Sequence, residues 1–417
     1  MDSHAPYRVA EWLPSDYAFL ASWLDRMIHK TQAEPRDLHP VIADLQSLIE
    51  SDPQLFMLFS QMFEQVPRRR PYDKDPSGKP QVRDYQQALR LLNTVMTHAP
   101  EFDQTGLVGC PINAIFDWSM GTPAGMAAFL NERVNAQLKK VLNAWGRFLS
   151  SRDSTYVLSE DPHKGWLGAD ALQAMPDFER EFVCDPKKPH WGFRSWDDFF
   201  TREFRAGARP VAHHDDDAVV VNACESAPYR IARRVNFRDT FWIKSQPYSI
   251  VHMLANDALA PLFADATVYQ AYLSPLSYHR WHSPVSGTIT KAYVKDGTYF
   301  AEASSHGYDP AGPNDSQAYI TEVATRALIF IEADNADIGL MCMLAVGMAE
   351  VSTCQITVYE GQRVRKGDQI GMFHFGGSTH CLVFRPGVKL QFDHHGQQPG
   401  LHARNIPVNA RIATVGD

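Results

Sequence analysis

The sequence predicts an α+β fold, with a helical amino-terminal domain followed by a mostly β domain. Apolar residues recur at helical spacing up to about residue 151, and from about residue 219 they gather in short runs separated by turn residues. The stretch between them contains the aromatic segment HWGFRSWDDFFTREF (190–204). We therefore expect a helical domain over 1–151, a connecting segment over 152–218 and a β domain over 219–417.

Two proline-containing pairs mark helix starts in the first third of the chain. Asp52-Pro53 and Thr122-Pro123 each place a side chain that can cap a helix before a proline, which suits the first helical turn. The second pair begins the clearest helix, whose apolar stripe is continuous: Val134, Leu138, Val141, Leu142, Trp145, Phe148 and Leu149.

The second half of the chain is rich in strand-like runs, among them VVVNA (219–223), ALIFIEA (327–333) and LMCMLAVGM (340–348). The segment YEGQRVRKGDQIGMFHF (359–375) resembles a hairpin of lipoyl- or biotinyl-type barrel sandwiches, with Lys366-Gly367-Asp368 at its turn. We therefore expect barrel-sandwich character in the β domain. We interpret Lys366 as a plain turn lysine.

Composition narrows the function classes. A formal net charge of −8 disfavours a general nucleic-acid binder, which needs a dominant basic face. The amino terminus lacks the pattern of a signal peptide, and no apolar run reaches the length of a membrane span. The six cysteines are widely spaced without a CxxC pair. We expect a cytoplasmic protein with no membrane insertion, no metal site and free thiols.

The segment GMFHFGGSTHCLVF (371–384) places Gly376, Gly377 and Ser378 between two strand-like runs. Taken alone, two glycines and a serine indicate a hairpin turn, because glycine readily adopts positive φ. A serine hydroxyl becomes a nucleophile only when a base accepts its proton. The chemical interpretation of Ser378 therefore depends on partners elsewhere in the chain.

Candidate partners lie upstream. His279 and His282 stand three residues apart beside Trp281, and Glu225 follows an apolar run. Each of these residues alone is more often structural, and the histidine pair has no third and fourth ligand at a spacing typical of metal sites. A carboxylate that orients a histidine is nevertheless the arrangement that activates a serine.

Three segments in this order resemble the phosphatidylserine decarboxylase family. They are FFTREFRAGARPV (199–211), YHRWHSP (278–284) and FHFGGST (373–379), and the resemblance extends from about residue 191 to the carboxyl end. It implies a self-processing enzyme that is cleaved between Gly377 and Ser378. Its two chains are expected to remain associated, while the sequence leaves the oligomeric state open.

The resemblance also implies roles for single residues. Ser378 attacks the carbonyl of Gly377, with His282 as general base and Glu225 orienting that histidine. Ser378 then becomes a covalent pyruvoyl group, which forms a Schiff base with an amino-acid substrate. His279 protonates the α-carbon of the substrate or helps to bind it. As an alternative to Glu225, Asp334 is a second candidate acid.

The closer resemblance is to the fungal L-tryptophan decarboxylase branch of the family, which carries a helical amino-terminal extension. Membrane-lipid members usually have Asp at the position of Glu225 and often Lys at that of His374. We therefore expect a carboxy-lyase that converts a small aromatic L-amino acid, L-tryptophan, into tryptamine and CO2. Trp281 and Phe375 are candidates for the substrate site, although each suits a core position equally well.

Three other functions stay open at this stage. Within the family, the alternative is a phosphatidylserine decarboxylase that makes phosphatidylethanolamine. A serine hydrolase could use Ser378 and His282, but the sequence reads GGSTH where such enzymes have G-x-S-x-G. An unprocessed chain whose helical domain recruits a partner is the non-enzymatic alternative.

Overall fold

The fold is that of a computed structural model of the 417-residue chain. The structure describes residues 17–66, 82–102, 110–239, 248–274, 276–301, 316–350 and 353–416.

Helices dominate the first third of the described chain. Seven precede residue 150: α1 (Tyr17–Ala33), α2 (Pro40–Ser51), α3 (Pro53–Glu64), α4 (Tyr85–Val95), α5 (Pro111–Met120), α6 (Pro123–Leu130) and α7 (Glu132–Leu149). Five shorter ones follow: α8 (Ala169–Ala174), α9 (Phe178–Glu181), α10 (Trp196–Phe200), α11 (Ile250–Met253) and α12 (Gln317–Val323).

The predicted caps are confirmed, but one predicted helix is two. Asp52 accepts hydrogen bonds from the N–H groups of Gln54 and Leu55, at 2.9 and 3.2 Å. Thr122 caps α6 by accepting from Gly125 at 3.0 Å. The chain then breaks at Asn131, whose side chain caps α7 and so starts a new helix.

Strands dominate from residue 219 onward. They are β1 (Val219–Val221), β2 (Ala227–Val235), β3 (Ala266–Leu273), β4 (Arg280–His282), β5 (Gly287–Lys295), β6 (Arg326–Ala333), β7 (Leu340–Met348), β8 (Cys354–Ile356), β9 (Arg363–Val364), β10 (Gln369–Phe373), β11 (Gly377–Phe384), β12 (Leu390–Phe392) and β13 (Arg411–Val415). They form a seven-stranded sheet in the order β2-β3-β11-β7-β6-β5-β9 and two three-stranded sheets, β1-β13-β12 and β4-β10-β8. The α+β class is confirmed.

The predicted barrel-sandwich character is not confirmed. Each described sheet has two edges, and the segment 359–375 does not form a two-stranded hairpin. Instead β9 pairs with β5, whereas β10 pairs with β4 and β8. Lys366 lies at the turn as expected, but it is buried, and its ammonium donates to the carbonyls of His213, Asp216 and Val219 at 2.7, 2.7 and 3.2 Å.

The seven-stranded sheet separates two apolar cores. One face packs around Trp281, Phe373 and Leu382, and the other packs around Tyr248, Phe263 and Val383. A third core belongs to the helices and extends to Tyr278 and Phe375 from the β-rich half. In the described part of the chain, no helix has the length and apolarity needed to cross a bilayer.

Candidate functional site

Ser378 lies at the start of the central strand β11. It pairs with Leu273 of β3 on one side and with Gly347 of β7 on the other. Its side chain is fully buried, and its Oγ has no hydrogen-bond partner among the described residues. Two residues earlier, Gly376 has a φ of +134°, a conformation that favours glycine. A buried hydroxyl without a partner is costly in a fold, so this serine is a strong candidate for a chemical role.

His279 borders the loop that leads to Ser378. Its carbonyl accepts a hydrogen bond from the N–H of Phe373 at 2.9 Å, and its ring is fully buried and stacked on Phe200, with centroids 3.8 Å apart. Burial holds the pKa of His279 well below its usual value. Both ring nitrogens of His279 are buried without a hydrogen-bond partner among the described residues. A neutral imidazole therefore lies at the sheet end where Ser378 begins its strand.

His282 has both ring nitrogens engaged. Nδ1 lies 2.7 Å from the carbonyl of Gly367 and must donate to it, so Nε2 carries the lone pair and accepts from the Tyr278 hydroxyl at 2.9 Å. Burial lowers the pKa of His282 and raises that of Tyr278, which keeps the first neutral and the second a donor. His282 therefore has the tautomer of a general base, and a backbone carbonyl holds it in that state.

Glu225 is not placed on His282. Arg209 binds its carboxylate at 2.8 to 3.2 Å, and the N–H of Val408 donates to it at 2.8 Å. These donors occupy both oxygens, so the predicted orienting contact to His282 is not among the described hydrogen bonds. The second candidate acid, Asp334, forms an ion pair with Arg363.

The two aromatic candidates have different surroundings. Trp281 is fully buried and packs edge-to-face on Phe373 with centroids 4.8 Å apart, so it belongs to the sheet core. Phe375 also packs edge-to-face at 4.8 Å, but on Trp145 of α7, and it lines a cavity. Of the two, Phe375 is the one that lines this cavity.

Sequence reasoning missed Arg209, Tyr278, Phe200 and Asp197 as parts of this region. All four lie in or beside the segments that carried the resemblance, but nothing in their spacing predicts their contacts. Asp197, for example, accepts from Nδ1 of His374 at 2.9 Å, and that histidine precedes the cleavage point by four residues. The described residues hold no group of three or more His, Cys, Asp or Glu side chains suited to one metal ion.

Comparisons with known proteins identify the family of this chain. Two models described as phosphatidylserine decarboxylase match residues 39–175 and 196–404. The chain is 37% identical to an L-tryptophan decarboxylase of Psilocybe cubensis over 94% of this chain and 91% of that protein. It is 45% identical to the decarboxylase iboD of Amanita muscaria (strain Koide BX008), over 74% of this chain and 91% of that protein.

More distant relatives include a phosphatidylserine decarboxylase proenzyme of Chlamydia pneumoniae, which is 31% identical over 55% of this chain and 73% of its own. The matched segments contain Ser378, both histidines and Glu225. These matches lead to one assignment: the chain belongs to the phosphatidylserine decarboxylase family and is a carboxy-lyase.

Proposed function

We propose that this protein cleaves itself between Gly377 and Ser378, converts Ser378 into a pyruvoyl group and decarboxylates L-tryptophan to tryptamine. The observation that carries the proposal is the buried Oγ of Ser378, which has no hydrogen-bond partner among the described residues. The substrate follows from the relatives that match over most of the chain, since two of them are L-tryptophan decarboxylases. The same proposal includes a cytoplasmic location and three parts of the chain: a helical domain over 1–151, a connecting segment over 152–218 and a catalytic domain over 219–417.

In the cleavage step, Oγ of Ser378 attacks the carbonyl carbon of Gly377 and the peptide nitrogen leaves, so that an ester replaces the amide. The α-proton of residue 378 is then removed and the ester bond breaks, which releases a chain ending in the carboxylate of Gly377. The dehydroalanine left at 378 takes up water and loses ammonia, giving the pyruvoyl carbonyl. This sequence consumes one water and no oxidant.

We assign the first proton transfer to His282, because its Nε2 lone pair is the accepting site and Gly367 fixes its tautomer. Tyr278 occupies that lone pair in the uncleaved chain, so its hydroxyl has to turn away before the transfer. Glu225 is held by Arg209 and the N–H of Val408 and not by the histidine, so any part it has in cleavage does not go through a direct hydrogen bond to His282. These assignments concern cleavage alone.

The residues around Ser378 fit a pyruvoyl group, because β11 holds position 378 between two strands and His279 lies near its strand end. A pyruvoyl group held there would supply a carbonyl for the α-amine of the substrate and an acceptor for the electrons released with CO2. His279 is our candidate for protonating the α-carbon or binding the substrate. Its burial excludes water from that proton transfer.

Mass spectrometry under denaturing conditions tests cleavage. The active protein should contain a fragment covering 378–417, of about 4.5 kDa and blocked at its amino end, and Ser378→Ala should give one intact chain. CO2 release should then be compared for tryptophan, tyrosine, phenylalanine and phosphatidylserine vesicles. Release from the vesicles alone would replace tryptophan with the lipid, and an active preparation of intact chains would refute the self-processing proposal.

A further inference from the structure

A cavity of about 520 Å³ lies between helix α7 and the loop that leads to Ser378. Its apolar wall is formed by Leu142, Trp145, Leu149 and Phe375. Gly146 also lines it, and a Cβ built on this glycine meets nothing within 4 Å. The volume lies within the range of small-molecule sites, and the missing side chain at Gly146 leaves space on the helix side.

Glu350 brings a carboxylate to this apolar wall. Its Oε1 accepts from the N–H groups of Ile112 and Asn113 at the start of α5, at 2.6 and 2.9 Å. Its Oε2 has no hydrogen-bond partner among the described residues, although the side chain is only 2% exposed. Burial raises the pKa of Glu350 to about 7, while Asn113, Ile112 and the Cys110 thiol lower it. A buried acceptor of this kind is costly unless a ligand supplies the donor.

The cavity is next to the cleavage point. Phe375 precedes Ser378 by three residues, which limits their Cα separation to about 11 Å. Glu350 follows Met348 by two residues, and Met348 is the register partner of Gly377. Phe375 also packs on Phe200, which in turn stacks on the ring of His279. A substrate whose amine reaches position 378 can therefore extend its side chain into this cavity.

We propose that the cavity binds the indole ring of the substrate and that Oε2 of Glu350 accepts the hydrogen bond from the indole N–H. This inference rests on the proposed function and deepens it by naming the residue that selects the side chain. An indole is flat and apolar except for one N–H donor, and the cavity offers an apolar wall together with the unpartnered Oε2 of Glu350. The rest of its lining is polar, and the carboxylate among those residues, Asp197, already accepts from His374. A site built for a donor discriminates against analogues that lack it, because the buried acceptor is then left unpaired.

The test uses the uncleaved Ser378→Ala chain, with indole and 1-methylindole as probes in isothermal titration calorimetry. Indole should bind at least 10-fold more tightly than 1-methylindole, whose nitrogen has no hydrogen to donate. Glu350→Gln in the same chain keeps an oxygen for Ile112 and Asn113 and replaces the acceptor by an amide donor. It should bring the two affinities to within about 3-fold of each other.

A second variant tests the location independently of Glu350. Gly146→Leu places a side chain in the cavity at a helical position where leucine is favoured over glycine, so the fold should tolerate it. Indole binding should fall by about 10-fold or more. Lys140→Leu, on the exposed side of the same helix, is the matched control and should bind indole as the parent chain does.

The outcomes separate this inference from the proposed function. Equal affinities for indole and 1-methylindole in the parent chain, or full indole binding by Gly146→Leu, would overturn the cavity assignment while leaving self-cleavage and decarboxylation untouched. Conversely, the binding measurements do not depend on catalysis, so selective indole binding would support the assignment even if CO2 release from tryptophan failed. In cleaved protein, Glu350→Gln should lower kcat/KM for tryptophan by about 10- to 100-fold and that for phenylalanine by far less.

Discussion

Arg209 binds Glu225 through three hydrogen bonds of 2.8, 3.1 and 3.2 Å, with both side chains largely removed from water. The guanidinium also reaches Glu181 at 3.0 Å, so one cation joins two acids from separate parts of the chain. This contact, and not one with His282, determines where the Glu225 carboxylate lies.

A double-mutant cycle should therefore show that Glu225 and Arg209 stabilise the fold through their contact with each other. In the uncleaved Ser378→Ala background, Arg209→Met and Glu225→Gln are each expected to lower the free energy of unfolding by about 2 kcal/mol, with a coupling energy above about 1 kcal/mol. Urea denaturation gives the free energy of unfolding of the parent chain, the two single variants and the double variant. A matching cycle of Glu225→Gln with His282→Gln should give a coupling near zero, and a large value there would restore the predicted triad contact.

Substitutions of the two histidines should affect different steps, cleavage in one case and decarboxylation in the other. His282→Gln removes the proposed base and should slow cleavage by about 100-fold or more, whereas His279→Gln should be cleaved but release CO2 at a similarly reduced rate. A gel time course after cell-free synthesis follows cleavage, and trapping of labelled CO2 follows the second reaction. The opposite pattern would assign the base to His279, which lies beside the loop.

Lys366 should contribute to stability out of proportion to its place in a turn. Lys366→Met leaves the carbonyls of His213, Asp216 and Val219, the last of them buried, without their donor, and we expect the free energy of unfolding to fall by about 2 to 4 kcal/mol. Lys140→Met, at an exposed site on α7, should change it by less than about 0.5 kcal/mol. Chemical denaturation gives the free energy of unfolding of both variants. Equal values for Lys366→Met and Lys140→Met would mean that water replaces the ammonium as the donor to the carbonyls.

Glu322 should make stability fall as the pH rises. Burial raises the pKa of Glu322 to about 8, and the N–H of Ser249 and the charge of Arg326 lower it only in part. The folded chain therefore keeps a proton that the unfolded chain loses near pH 4.5, and the associated stability is lost between about pH 4.5 and 8, by roughly 5 kcal/mol.

Glu322→Gln should remove that pH dependence, since an amide oxygen can still accept the hydrogen bond that Ser249 donates at 3.0 Å. Denaturation of the variant and the parent chain at pH 5, 6, 7 and 8 provides the comparison. A constant difference between the two across this range would show that Glu322 titrates normally.

The fold was more predictable than the site, for reasons that particular residues make clear. Thr122-Pro123 predicted a helix start because capping is local. Asn131-Glu132 carries the same kind of signal, but the continuous apolar stripe concealed the break between α6 and α7. The segments at 278–284 and 373–379 predicted the family because each is a short run of consecutive residues that can be recognised in the sequence itself.

Contacts between residues that are far apart in the sequence could not be predicted in this way. Glu350 follows an apolar strand and would ordinarily be an exposed residue, yet it is buried because α5, 238 positions away in sequence, packs its first turn on it. Glu225 likewise has Arg209 within reach, and no spacing rule decides between a guanidinium and an imidazole as its partner. Both outcomes depend on how separate elements pack.

The position of β11 also determines what cleavage can release. All eight of its residues pair with β7 and seven pair with β3, so the fragment that begins at residue 378 forms the middle of a sheet and not its edge. To separate the two products, the hydrogen bonds of β11 to β3 and to β7 would have to break together. To reassemble them, β11 would have to insert between β3 and β7 in the correct register. We therefore expect unfolding of the cleaved protein to be effectively irreversible: a denatured mature enzyme should not regain activity under conditions from which the intact precursor does.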